Sequence, residues 1–344
     1  MIDPYQGWTP EQLQEASIAE LAAGRLPLQA QRRLADIGAG GAFSSTLSVD
    51  EHHAVRSVGF RPVGQVMGSC VYHVGWTGAW NCGYGGWGGG FGSAGRRGGV
   101  GWGGAGAGGF GWGGGPPGTV GGGIAGGVGG AGGWSGAQVV DAPGLRQSLL
   151  DARHRAMERM RQECAGLGGD GVVAVRLVVE PFPAGGLEFQ AIGTAIRADG
   201  DVRPPRPFLS DLSGQEFALL FRSGWVPCAL VLGVSVGVRH DDWRTMQQGS
   251  RWAGNQEIAG FTELVHTVRA GARDELRQDC ARYGGTVAVV REMSLRLIEH
   301  ECGYNENARD HVAEALIVGS ALVQFGPDQR SQPPLPVVRL EDGP

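Results

Sequence analysis

The sequence contains no lysine: all 29 of its basic residues are arginine, set against 34 acidic ones for a net charge of −5. No basic stripe gathers these arginines, so the electrostatic footprint of a duplex nucleic-acid binder is missing and no nucleic-acid partner is expected. There is no run of 18 or more strongly apolar residues, so no ordinary transmembrane helix is expected. No basic region followed by an apolar core opens the chain, so no signal peptide is expected either. The six cysteines are scattered without a C-x-x-C pair, which argues against a zinc ribbon and against a disulfide framework. No Gly-Lys-Ser or Gly-Lys-Thr step exists, which excludes a P-loop. These absences lead to the expectation of a cytoplasmic protein with reduced thiols.

What the chain has in excess is glycine. Of its 64 glycines, 31 fall between Gly83 and Gly136, and six of its ten tryptophans lie between Trp76 and Trp134. Arg96 and Arg97 carry the only charges in that stretch. Ordering so much glycine costs conformational entropy, so the tract is either a loose loop or is held by something large.

Outside the tract the order is regular. Thr9-Pro10-Glu11-Gln12 is a capping box with proline at the first helical position, and Gly24 stops that helix. A second helix runs from Pro27 to Gly38, which makes residues 1–42 a helical hairpin. Two halves follow and repeat each other. In residues 59–71 and 224–236, Gly59, Pro62, Val66, Gly68 and Val71 match Gly224, Pro227, Val231, Gly233 and Val236. Each half then has a long amphipathic helix. Leu145, Leu149, Ala152, Ala156, Met160, Cys164 and Leu167 form one stripe, and Phe261, Val265, Val268, Ala272, Leu276, Cys280 and Tyr283 form the other. A Gly-Gly pair closes each helix and two strands follow. Residues 204–207 carry the prolines of a linker, and residues 327–344 form a Pro-rich tail.

The run Ala156 to Met160, continued by Ala165 through Val175, resembles the YbjQ-like family, whose role is presumed to be heavy-metal binding. That family's signature is a helix running into Leu-Gly-Ala-Asp-Ala-Val-Val-Gly-Val. The strands at Gly68 and Gly193 fit the same pattern. The likeness is weaker in the second half, where Thr286 stands in place of Asp170 and Tyr283 in place of Leu167. The resemblance implies an α+β fold: two tandem small domains, each a curved, mainly antiparallel sheet covered by one long helix. It also implies association into pentameric or decameric rings. The expected layout is a hairpin at 1–42, a first domain at 43–200 with an insertion at about 75–138, a linker at 201–207 and a second domain at 208–326. Asp170 is read as bonding backbone N–H groups at the helix-to-strand turn.

The two halves match at a spacing of 165 residues upstream of the insertion and 116 downstream, so the first half carries 49 extra residues there. Within the tract the large residues Val100, Trp102, Phe110, Trp112, Val120, Ile124, Val128 and Trp134 all occupy even positions, on either side of a turn at Pro116-Pro117. Period two places them on one face of a hairpin. Four readings follow: an irregular loop, hairpins ordered within an oligomer, hairpins that close into a membrane barrel, or self-association through the aromatic residues.

His300, Cys302 and His311 are the metal-ligand candidates, since imidazole with thiolate suits zinc or copper. His52 and His53 form a weaker pair, placed near a strand start. Cys70, Cys164, Cys228 and Cys280 read as core and Cys82 as an accessible thiol. No nucleophile elbow or dispersed triad stands out, and no cofactor is expected. The chain therefore reads as a non-enzymatic, ring-forming scaffold that partners itself. A metal-binding protein and a membrane-active oligomer are the alternatives, and in the latter the insertion touches membrane or other proteins.

Overall fold

A computed structural model describes residues 7–41, 44–73, 138–183, 185–301 and 309–325. The Gly/Trp tract, with all eight residues of its even-numbered face and Cys82, lies outside them, as does the Pro-rich tail. The fold is mixed, with helices on open sheets, as the α+β reading expects. Helices α1 (Pro10–Ala22) and α2 (Leu28–Gly38) form the expected hairpin. Both arms of the Thr9–Gln12 capping box are made.

The first sheet has the order β1-β4-β3-β5, with β1 (Phe60–Tyr72), β3 (Gly171–Phe182), β4 (Gly186–Ala198) and β5 (Phe208–Leu209). The second has the order β2-β6-β8-β7, with β2 (Val140–Asp141), β6 (Trp225–His240), β7 (Val287–Glu301) and β8 (Arg309–Gln324). All pairs are antiparallel except β5, which lies parallel on β3. Helix α4 (Pro143–Gly166) lies on the first sheet and α7 (Ala259–Arg282) on the second. The halves thus repeat as strand, helix, strand, strand. Three shorter helices stand apart from the sequence reading: α3 (Val49–Arg56), α5 (Gly214–Arg222) and α6 (Trp243–Gln248). His52 and His53 sit on α3 rather than near a strand start, because Ser48 and Glu51 build a capping box around the helix entry.

The helix-on-sheet contact depends on one glycine per half. A Cβ at Gly68 would lie 1.9 Å from the Ala156 carbonyl oxygen, and one at Gly233 would lie 2.0 Å from that of Ala272. The helix backbone therefore rests directly on the strand. Each helix ends at a glycine in the left-handed region, Gly168 at φ +68° and Gly284 at φ +70°. The next amide then bonds back into the last turn, Gly169 N–H to Cys164 O at 2.8 Å and Gly285 N–H to Cys280 O at 3.0 Å.

A carboxylate on each helix caps the adjoining strand edge. The Met67 N–H donates to Glu163 at 2.7 Å, and the Leu232 N–H donates to Asp279 at 3.0 Å. Both carboxylates are buried, and each has a guanidinium partner, Arg33 for Glu163 and Arg282 for Asp279. Along β1 the Ser69 carbonyl accepts from Arg159, and the Gln65 carbonyl accepts from Arg33 at 3.2 Å. The β1 edge is thus closed by side chains.

Two outcomes test this account. Gly68→Ala is expected to cost about 3 kcal/mol or more in urea unfolding, because backbone atoms must move to admit the methyl group. Glu163→Ala is expected to cost about 1–3 kcal/mol by leaving the Met67 N–H unbonded, while Glu163→Gln keeps an acceptor and loses less.

Candidate self-association surface

The two halves meet in a junction built from residues that the repeat brings into register. In the first half, Ser45, Leu47 and Ser48 precede α3, and Glu51 lies in its first turn. In the second, at the same spacing of 165, Ser210, Leu212 and Ser213 precede α5, and Glu216 lies in its first turn. Each set ends in a capping box that fixes its short helix. Each also hydrogen-bonds its own half through a fully buried hydroxyl on β4 or β8. The Thr46 N–H donates to Thr194 Oγ1 at 2.9 Å, and the Asp211 N–H donates to Ser320 Oγ at 3.1 Å. Desolvation raises the Asp211 carboxyl above its ordinary pKa, opposed by the hydrogen bond from Ser320.

The second set does something more. Its backbone lies along β3 of the first sheet. The Ser210 N–H donates to Val172 O at 2.9 Å, the Ala174 N–H to Leu212 O at 2.8 Å and the Val175 N–H to Ser210 O at 3.0 Å. Residues 208–212 therefore extend one half's sheet while their side chains bond the other's. Helix α5 follows and sets Phe217 5.1 Å from Phe60, ring centre to ring centre, in a cluster with Val55, Val173 and Ile196.

Helix α4 closes the junction from the other side. Its predicted stripe is buried at Leu149, Ala152, Ala156, Met160 and Cys164. A second stripe, Leu150, Arg153 and Met157, is buried too. One apolar cluster runs from Val66, Cys70 and Phe189 through α4 to Leu230, Leu232, Val234, Val236 and Leu316 of the second sheet. Arg153, buried in it, pairs with Glu314 of β8 at 2.7 Å and stands over the Phe189 ring at 5.2 Å. Just before α4, β2 adds itself to β6. The outer edge of β7 has no such partner: among the described residues no strand lies on it, and Val287, Val290, Met293 and Leu297 are exposed along it.

The metal-ligand candidates lie at the far end of the second sheet. Cys302 is outside the described residues, and so is the side chain of His300, whose backbone is paired opposite Asp310. His311 stands opposite Glu299, bonds Asp241 at 2.9 Å and packs on the Phe261 ring at 4.4 Å. Beside it, His240 bonds Asp310 at 2.7 Å. Among the described residues no group of three or more His, Cys, Asp or Glu side chains forms a metal-ligand set. Of the three candidates only the His311 side chain is described, and it is paired with Asp241, as His240 is with Asp310. Asp170 accepts from the Ala198 N–H at 2.8 Å and from Arg203 at 2.6 Å, tying the end of β4 to the linker. No helix among the described residues is long and apolar enough to cross a membrane.

The described cysteines are free thiols, with Cys70, Cys164 and Cys280 buried and Cys228 half-buried. Burial, helped by the nearby Asp170 charge, pushes the Cys164 thiol up to about 12. Folded protein at pH 8 is therefore expected to leave Cys164 unlabelled by a thiol reagent, read by peptide mapping, with full labelling after denaturation. Labelling of Cys164 in the folded chain at the denatured rate would contradict its burial.

Sequence comparison agrees with this architecture. A family profile described as "Putative heavy-metal-binding", YbjQ, matches residues 141–199, which hold α4, β3 and β4. The chain is 30% identical over 256 residues to Encapsulin nanocompartment protein Rv1762c of Mycobacterium tuberculosis, covering 72% of this chain and 76% of that protein. It is 41% identical over 54 residues to a UPF0145 protein of Halorubrum lacusprofundi, and 45% identical over 51 residues to one of Archaeoglobus fulgidus. These matches cover 16% and 15% of this chain and 52% and 47% of the relatives, about half of their length. No solved structure matches the chain. The profile match over the helix-to-strand unit and the long alignment to the mycobacterial protein place the chain in the YbjQ-like family.

Proposed function

We propose that this protein is a non-enzymatic cytoplasmic scaffold that assembles with copies of itself into a closed ring of pentamer type, with residues 75–138 projecting from it. The observation that carries the reading is the head-to-tail junction between the halves. One half offers a strand edge and the face of a helix; the other offers a short strand and the back of its sheet. The two surfaces differ, so the contact is heterologous, and repetition of such a contact generates a ring when its rotation closes. The open edge of β7 is where the next contact would form, since a long exposed apolar edge invites pairing. The long relative named as an encapsulin nanocompartment protein supports assembly as the role.

Native mass spectrometry of the full chain is expected to give a multiple of the 35.9 kDa chain mass. The same multiple is expected after deletion of residues 98–135. A single-chain mass at micromolar concentration would overturn the reading.

A further inference from the structure

We propose that a second copy of this chain docks on β7 and α7 through its own first half, repeating between chains the junction that joins the two halves within one. The inference rests on the self-assembly reading and assigns it a surface.

The residues follow from the repeat. Within the chain, residues 208–212 lie on β3 at Val172, Ala174 and Val175. The register of each sheet carries these positions to Ala288, Val290 and Arg291 on β7, and both β3 and β7 bulge there against β4 and β8. The counterpart of residues 208–212 is the stretch around Ser44, Ser45 and Leu47, already held at the sheet face by Thr194. In the docked pair the partner's Ser45 N–H donates to Ala288 O, and the N–H groups of Val290 and Arg291 donate to the partner's Leu47 and Ser45 carbonyls. The β7 edge gains the strand that β3 already has.

The second contact is electrostatic. Arg153 on α4 meets Glu314 on the back of the second sheet. The same spacings turn this pair into Arg269 on α7 and Glu188 on the back of the first sheet. Glu188 stands directly across from Glu180 in the β3–β4 ladder, and like charges in that position repel. Neither makes an ion pair among the described residues. Arg269 and Arg273, on the outward side of α7, make none there either, and the Arg269 Nε is buried without a partner. One chain therefore presents two carboxylates on a sheet back where Met67 and Val71 are exposed, and two guanidinium groups on the helix that the repeat would lay over it. The occupant with matching charge, shape and register is another copy.

The test uses full-length chain and native mass. Arg269→Glu and Glu188→Arg are each expected to reduce the assembly to single chains, with circular dichroism unchanged because both side chains are only half-buried and neither makes an ion pair among the described residues of the single chain. The double variant, with the charges exchanged, is expected to regain the wild-type mass. Independently, Ser44→Cys with Ala288→Cys is expected to give chain-to-chain disulfides on oxidation that neither single variant gives. Wild-type assembly in both charge variants, or an assembled double-cysteine protein that yields no linked chains, overturns this interface and leaves self-assembly standing. A wild-type chain that is single overturns both.

Discussion

Helix backbone against strand backbone is the contact on which this structure depends. At Gly68 and Gly233 no side chain separates the sheet from the helix, so the Ala156 and Ala272 carbonyls come nearer than any other residue would allow. That approach sets the level of everything on the helix. It brings Glu163 and Asp279 down to the strand edge, where each accepts a backbone N–H that no neighbouring strand takes. An edge satisfied by a helix carboxylate does not need a strand, and β1 has in addition Arg33 and Arg159 on its carbonyls. Closing one edge in this way gives the sheets a direction. Growth by strand addition is blocked at β1 and possible at β3 and β7.

The second consequence concerns burial. A helix lying so low on its sheet keeps its opposite flank available for another layer. For α4 that layer is the second sheet, and Leu150, Arg153 and Met157 are buried along with the stripe that faces β1 and β4. The corresponding positions of α7 are His266, Arg269 and Arg273. The backs of the two sheets differ in the same sense: Leu230, Leu232, Val234 and Val236 in the second, Gln65, Met67, Ser69 and Val71 in the first. The junction that forms within the chain is apolar, as an obligate contact is, and the surfaces at its two ends are mixed, as in contacts between molecules that first fold alone.

Much of the frame was legible because repetition supplies its own control. Gly68 with Gly233, and the two cysteine-bearing helix stripes, recur at fixed spacing, and both proved to lie at the helix–sheet contact. Leu264 rather than Val265 is buried on α7 and Tyr283 is exposed, since the stripe was drawn by analogy with α4 rather than from the turn of α7 itself. The short helix before each half, and the short strand before the second, were missed. Their signal, Ser-x-Leu-Ser-x-x-Glu at the same spacing, lies just upstream of the matched glycines, but eight or nine residues of helix give too little periodicity to announce themselves. The double burial of α4 was hidden for a different reason: Arg153 and Glu314 are charged residues, and only the packing of α4 against the second sheet buries them as a pair. The metal candidates were chosen by residue type and spacing, and neither reveals that His311 already has Asp241 and an aromatic ring beside it.

The position of the Gly/Trp tract also follows from the frame. It enters between β1 and β2, where the chain leaves the first sheet to lead into α4. The second half uses the matching segment, between β6 and α7, for α6 and an exposed Trp243, Met246 and Trp252. The helix–sheet contact, the closed edge of β1 and the strand laid on β3 are each built from described residues outside both segments. An insertion of 49 residues is tolerated at that point because its ends are fixed by elements that are ordered without it, and loop closure becomes only slowly more costly with length. What such a segment contacts is then free to differ from what the frame contacts. A frame that repeats its own junction would carry one tract per chain at a regular spacing, which multiplies any weak affinity the tract has without requiring the tract to hold the assembly together.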